Sequence, residues 1–328
     1  DASMGFHFLN YGHFWTPGRG GQWKNNEMDK GFGLMLQMIR TGEGLVWEHV
    51  EPIIHHQIDV DTVHDDDNEH WIGAQRYHFA KHGAIHGPAL CHEWIDGPLF
   101  FGLLAGYRRA EEVALARADH FVKAIELGEH RIKTLTRVAG YPLMALSRMY
   151  ENYRDERYLH TCERIMDWLD EWSTQDGHYT YNAYTPPGIT QVATSLSDGI
   201  LMCALMRHHL VTDSPRSWQL LQETADRDFD VTGLIRPEGF TTKGTSPFRN
   251  YYEPEPDFWF EPMMFLTLRS GEPRYADVGF AELQRIFAQR RMLAGEGQNP
   301  PHFYRYWLPS LARADELGML RDPQPLGM

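Results

Sequence analysis

Gly199-Ile200-Leu201-Met202-Cys203-Ala204-Leu205-Met206 is apolar on every side of a helical turn. A helix of that kind offers no face to water and has to be covered all round. Thr212-Asp213-Ser214-Pro215 stops it, and the chain resumes at Trp218 with a helix to about Phe229 that keeps one polar face. The unit is a hairpin of an inner helix and an outer helix.

The same grammar occurs four more times. Met28 to Ile39 turns at Thr41-Gly42-Glu43 and continues from Leu45 to about Ile58. Trp94 to Leu104 turns at Ala105-Gly106 and continues from Ala110 to Leu127. Ala139 to Tyr150 turns near Arg154-Asp155 and continues from Tyr158 to Trp172. Phe258 to Leu268 turns at Ser270-Gly271-Glu272-Pro273 and continues from Tyr275 to Arg291. The turns recur at intervals of roughly 50 to 65 residues, a spacing that marks a repeat architecture. Asp155, Ser214 and Glu272 stand where a helix start needs an acceptor for its free amides and a partner for its positive end. In the second hairpin Arg117, Asp119 and Lys123 are read as part of the water-facing side.

Alternating inner and outer helices predict an all-α fold, an (α/α) toroid of five to six hairpins, with Phe303 to Leu317 adding part of a sixth. An open solenoid is the alternative, but it would show shorter and more regular repeats. Minor β-hairpin content is expected at His178 to Tyr184, where residues alternate. No Ser-, Gly- or Pro-rich linker interrupts residues 1–328, so a single domain is expected.

Composition narrows the function. Lys and Arg total 31 against 45 Asp and Glu, a net charge of −14 that repels a phosphate backbone and argues against nucleic acid. No apolar run reaches the roughly 20 residues that span a bilayer. The three cysteines, Cys91, Cys162 and Cys203, form neither a disulfide framework nor a metal knuckle, and read as small apolar residues. A secreted or periplasmic location is favoured.

Nine of the 18 histidines fall between His49 and His92, in a stretch that also holds Asp59, Asp61, Asp65, Asp66, Asp67, Asn68 and Glu69. A long loop inside a compact domain usually has a task. In a toroid the inner helices run parallel, so their N-termini gather at one mouth. That places Asn25-Asn26-Glu27, His92-Glu93 with Asp96, Arg137 with Tyr141, Ser195-Ser197-Asp198, and Asp257 with Glu261 at a shared rim.

Four chemistries fit such a rim. β-Elimination from a uronic acid needs donors for the carboxylate and a base and acid for the protons. Asn25 or Asn26, His55 or His56, His92, and Tyr141 or Tyr77 supply them. Glycoside hydrolysis needs two carboxylic acids about 5 to 10 Å apart, drawn from Glu93, Asp96, Asp198, Asp257 and Glu261. A divalent metal (Zn, Mn or Ca) would take His78, His82 and His86, one stripe if that segment is helical, or His64, Asp66 and His70. No cofactor is otherwise required. A non-catalytic ring that binds glycan or protein through aromatic residues is the fourth. Trp71, Arg76, Arg137, Asp198, Arg249, Tyr251, Asp257 and Glu261 are the expected substrate contacts, with a polysaccharide or oligosaccharide as partner. The aromatic, Gly-rich stretch His7 to Trp23 either lines a sugar subsite or covers the edge of the ring.

Lys24-Asn25-Asn26-Glu27-Met28-Asp29, Cys91-His92-Glu93-Trp94-Ile95-Asp96-Gly97 and Arg137-Val138-Ala139-Gly140-Tyr141-Pro142-Leu143 resemble the toroid portions of carbohydrate-active enzymes. The nearest are heparinase II/III-like polysaccharide lyases and six-hairpin glycosidase-like proteins. That resemblance implies a uronate-cleaving lyase, with Asn26, His55 or His56, His92 and Tyr141 as matching positions. It also implies a β-sandwich domain beside the toroid, which here would precede Asp1.

Overall fold

The computed structural model describes residues 14–16, 22–24, 28–80, 85–86, 88–128, 136–172, 195–230, 235–236, 239–240, 258–288 and 301–320. Eleven α-helices lie among them. They are α1 (Lys30–Thr41), α2 (Trp47–His56), α3 (Asp96–Ala105), α4 (Arg108–Glu126), α5 (Thr136–Tyr153), α6 (Glu156–Trp172), α7 (Ser195–Thr212), α8 (Pro215–Asp230), α9 (Phe260–Ser270), α10 (Pro273–Ala288) and α11 (Pro301–Glu316).

The five predicted hairpins are α1–α2, α3–α4, α5–α6, α7–α8 and α9–α10. All five inner helices finish the same way, on a residue in the left-handed region: Gly42, Gly106, Arg154, Asp213 and Gly271. That conformation lets the chain reverse within two or three residues. The outer helix α6 then restarts on a polar acceptor, where Arg157 N–H donates to Asp155 Oδ1 at 2.9 Å.

The odd-numbered helices form the inner ring. α1 packs on α3, the turn before α3 packs on α5, and α5 packs on α7, α7 on α9 and α9 on α11. α11 also packs against α1, so the ring is closed. The fold is an α/α toroid. The segment read as part of a sixth hairpin supplies the sixth inner helix.

One core runs from α3 round to α9 through Trp94, Phe121, Leu143, Met149, Ile165, Leu201 and Trp259. A second, built on Phe32, Met35, Ile54, Ile58 and Phe101, holds the first two hairpins together. The apolar stretch that opened the sequence reading is buried throughout, from Ile200 to Met206. Cys203 lies within it and Cys162 is buried in the same core on α6.

Six strands accompany the helices: β1 (Phe14–Thr16), β2 (Gln22–Lys24), β3 (Tyr77–Ala80), β4 (Ile85–His86), β5 (Ile235–Arg236) and β6 (Gly239–Phe240). The first four make one antiparallel sheet in chain order. β2 and β3 pair across a long separation, with Trp23 opposite Ala80 and Lys24 opposite Phe79. β5 and β6 form a separate hairpin. The hairpin expected at His178 to Tyr184 lies outside the described residues.

The ring also buries a titratable group with a measurable consequence. His208 on α7 is fully buried, and that burial, with a smaller push from His209, pulls its pKa down to about 4. The unfolded chain therefore takes up the proton first. Stability from the neutral imidazole is complete above about pH 6.5 and drains away as the pH falls toward 4, by roughly 3 kcal/mol in all. Urea titrations of wild type and His208→Gln across that range should diverge by about this amount, with the wild type losing more.

Candidate functional site

The N-termini of the inner helices meet at one end of the ring, as the spacing predicts. Asp29 precedes α1, and its Oδ2 accepts the Gly97 N–H in the first turn of α3 at 2.8 Å. Gly97 is required there, because a Cβ would stand 2.3 Å from Asp29 Oδ1. Met28 and Asp29 both hold positive φ, 59° and 55°. Backbone strain of this kind persists only where surrounding contacts impose it.

Trp94 organises the mouth. It is buried, and its backbone is held from three directions. Arg117 Nη1 donates to its carbonyl at 2.6 Å, Gln57 Nε2 donates to the same oxygen at 3.1 Å, and its N–H donates to Gln75 Oε1 at 3.3 Å. His92, in a short 3-10 turn (Leu90–His92), meets the Trp94 ring edge-on at 6.0 Å between centroids. Tyr141 of α5 meets it edge-on at 6.2 Å. A small cavity opens beside them, lined by Glu93, Trp94, Ile95, Asp96, Tyr141, Met144 and Ala145.

Beneath this wall lies a buried ionic network. Arg117 of the outer helix α4 is wholly buried and also donates to Thr62 Oγ1 at 2.6 Å. Burial pulls its guanidinium down, and the carboxylates of Glu93, Asp29 and Asp61 oppose that. His120, one turn on, presents Nδ1 to the His70 carbonyl at 2.8 Å, so that nitrogen is the donor. Its Nε2 then faces Glu93 Oε1 at 3.4 Å. His56 Nε2 stands 3.4 Å from Asp61 Oδ1, both buried.

The expectation that Arg117 faces water is corrected. Val113, Arg117 and Phe121 fall at i, i+4 and i+8, so Arg117 shares the stripe that α4 turns to the core. That spacing is the signal by which sequence reading could have found it.

Of the predicted site residues, the structure brings His92, Glu93 and Tyr141 together around Trp94. Arg137 stands half-buried one turn before Tyr141 on α5. Asp198, fully buried in the first turn of α7, accepts from Thr136 Oγ1 at 3.0 Å beside the start of α5. Glu261, in the first turn of α9, is bound by Arg313 Nε at 3.3 Å.

Others sit elsewhere. His55 rests edge-on against Tyr107 at 5.0 Å and Phe101 at 5.7 Å, on the outer helix α2. His56 is under the mouth. Trp71 belongs to a short turn docked on α4 through Lys123 Nζ donating to the Glu69 carbonyl at 3.1 Å. Arg76 is paired with Asp66 Oδ2 at 3.0 Å. Asn26, His82, Arg249, Tyr251 and Asp257 lie outside the described residues.

The metal stripe needs a helix across His78, His82 and His86, and that helix does not form. Residues 77–80 and 85–86 are antiparallel strands, with Tyr77 opposite His86 and His78 opposite Ile85. Gly83, Gly87 and Pro88 disfavour the helix in any case. In the second trio, two members are engaged separately. His64 Nε2 is 2.7 Å from the Ile58 carbonyl, and Asp66 is engaged by Arg76. Among the described residues no group of three His, Cys, Asp or Glu side chains is placed to hold a metal ion. No described helix is long and apolar enough to cross a membrane.

No family model matches the chain, and no curated protein matches it by sequence. Solved structures do match it by shape. An unsaturated glucuronyl hydrolase specific for heparin superposes with a TM-score of 0.69 over 96% of this chain and 93% of its own, at 9% identity. A cellobiose 2-epimerase from Spirochaeta thermophila gives 0.63 over 88% and 86%, at 13% identity. A polysaccharide lyase gives 0.59 over 92% of both chains, at 12% identity. The fold is the α/α toroid of carbohydrate-active enzymes. At these identities the match extends to the architecture and stops there.

Proposed function

We propose that the protein is a carbohydrate-active enzyme that cleaves uronate-containing glycans by β-elimination. The observation that carries this reading is the placement of His92 and Tyr141 on the ring of one rigidly held tryptophan, at the mouth of the toroid. One group accepts the proton from the carbon next to the uronate carboxylate. The electron pair moves into a new carbon–carbon double bond as the glycosidic C–O bond breaks, and the other group protonates the departing oxygen. Imidazole and phenol side chains are the usual carriers for such transfers. The toroid matches above include a lyase and a hydrolase of unsaturated glucuronyl sugars, which supports an acidic glycan as substrate.

Hydrolysis is the second reading, because Glu93 and Asp96 line the same cavity. Two carboxyl groups are what that reaction needs. Asp96, however, is engaged by Arg148 Nε at 3.2 Å, and Glu93 faces His120.

Digestion of a panel of uronate polymers separates the two. Elimination leaves an unsaturated uronyl end that absorbs in the near ultraviolet, so absorbance should rise in step with new reducing ends. Reducing ends without absorbance would establish hydrolysis and remove the lyase reading.

A further inference from the structure

From the cavity wall onward, the inner helices carry a belt of charge: Asp96 on α3, Arg148 and Glu151 on α5, Arg207 on α7, Glu261 on α9 and Arg313 on α11. Each acid in it already has a guanidinium. Arg148 donates to Asp96 Oδ1 at 3.2 Å and to Glu151 Oε2 at 2.7 Å, and lies over the Phe100 ring at 5.2 Å. Arg313 donates to Glu261 Oε1 at 3.3 Å and lies over the Phe265 ring at 5.2 Å.

Arg207 is the charge left over. Its one ion pair among the described residues is to Glu151 Oε2, at 4.0 Å, an oxygen already taken by Arg148. It donates no hydrogen bond to the described residues. Its side chain is 24% exposed, so solvent reaches only part of it.

The direction in which Arg207 points follows from its neighbours. The charged groups that act on it are Arg148, Glu261, Asp96 and Glu151, which stand on α5, α9 and α3. All are inner helices, so Arg207 faces the lumen. Burial and the like charge of Arg148 work against its ionised form, and the carboxylates of Glu261, Asp96 and Glu151 oppose them in part. A guanidinium offers five N–H donors in a planar fork that matches a carboxylate. Leaving them unspent, half dry, beside a second cation is a cost that an incoming anion would remove.

We propose that Arg207, with Arg148 beside it, is the docking point for the carboxylate of an acidic sugar entering the lumen. Asp96 links this point to the reacting end, because it borders the cavity and also holds Arg148. The assignment rests on the uronate reading above and gives it a residue that sequence reasoning did not single out.

Titration calorimetry with the full chain tests it, using D-glucuronate, D-glucose, acetate and inorganic phosphate as probes. Glucuronate should bind the wild type at least tenfold more tightly than glucose. Arg207→Gln should lose at least tenfold, and Arg207→Lys should recover only part. The Arg207→Gln melting temperature should be no lower than that of the wild type, since the side chain contributes no hydrogen bond.

Undiminished glucuronate binding by Arg207→Gln, or no binding by the wild type, overturns the site even where elimination is observed on polymers. Acetate or phosphate binding as tightly as glucuronate overturns the sugar assignment. Arg207-dependent glucuronate binding in a protein that eliminates no polymer upholds the site and removes the lyase reading alone.

Discussion

Replacing Arg117 by methionine is expected to destabilise the protein by about 3 to 5 kcal/mol, the range for breaking a buried ion pair from one side. Methionine has nearly the right length and is at home in a core, so packing alone would predict a small effect. The loss comes from what stays behind. The carboxylates of Asp29, Asp61 and Glu93 all act on Arg117 and would lose their common cation. The Trp94 carbonyl and the Thr62 hydroxyl would lose bonds of 2.6 Å each. Domains of this size are commonly stable by only about 5 to 15 kcal/mol, so the variant should unfold at much lower urea. A midpoint within about 1 kcal/mol of the wild type would show that the three acids need no such cation. Arg117→Lys should fall between, keeping the charge while losing the two-pronged reach to Trp94 and Thr62.

The second large effect concerns chemistry instead of stability. His92→Ala and Tyr141→Phe should each lower the rate of absorbance gain on the preferred uronate polymer by about 10²- to 10⁴-fold, the usual worth of a positioned acid or base. Tyr141→Phe removes only an oxygen and preserves the edge-on contact with Trp94. Glu93→Gln is the informative companion. It preserves shape but alters the group that faces His120 Nε2. If the variants at 92 and 141 both retain more than a tenth of the wild-type rate, these two side chains do not carry the protons.

The hairpins were legible because their signal is local. An apolar run such as residues 199–206, a stop, and a one-sided amphipathic stretch lie next to each other in the chain, and the structure follows that order. The edges of elements were less legible where the mouth claims the residues. Met28 and Asp29 read as helix, yet they adopt left-handed backbone because the Asp29 carboxylate is spent on Gly97 of α3. Trp94 and Ile95 likewise read as helix, but they stand before α3 as the wall of the cavity.

Non-local facts were out of reach. The pairing of Trp23 with Ala80 joins segments far apart in the chain, so nothing near His78 announced a strand. His55 and His92 are chemically alike in sequence, and only the packing of α2 outside α3 separates them. Arg207 follows the apolar run directly, where a charged residue reads as the end of burial. Its interest arises only when three other inner helices place their charges around it.

The contact of α11 with α1 has a further consequence for how the molecule comes into being. Helix α11 seals against α1, so the ring cannot close until the chain through α11 has been made. Until then α1 exposes the flank that α11 will cover, and α9 lacks its neighbour on one side. Contacts between such distant segments slow folding, because the loop they close must be ordered before it is rewarded. Hairpins can form one after another during synthesis, but the mouth, assembled from the ends of α1, α3, α5 and α7, acquires its final shape late. The shape of the mouth is thus tied to completion of the circle, and a partly made chain has the helices without it.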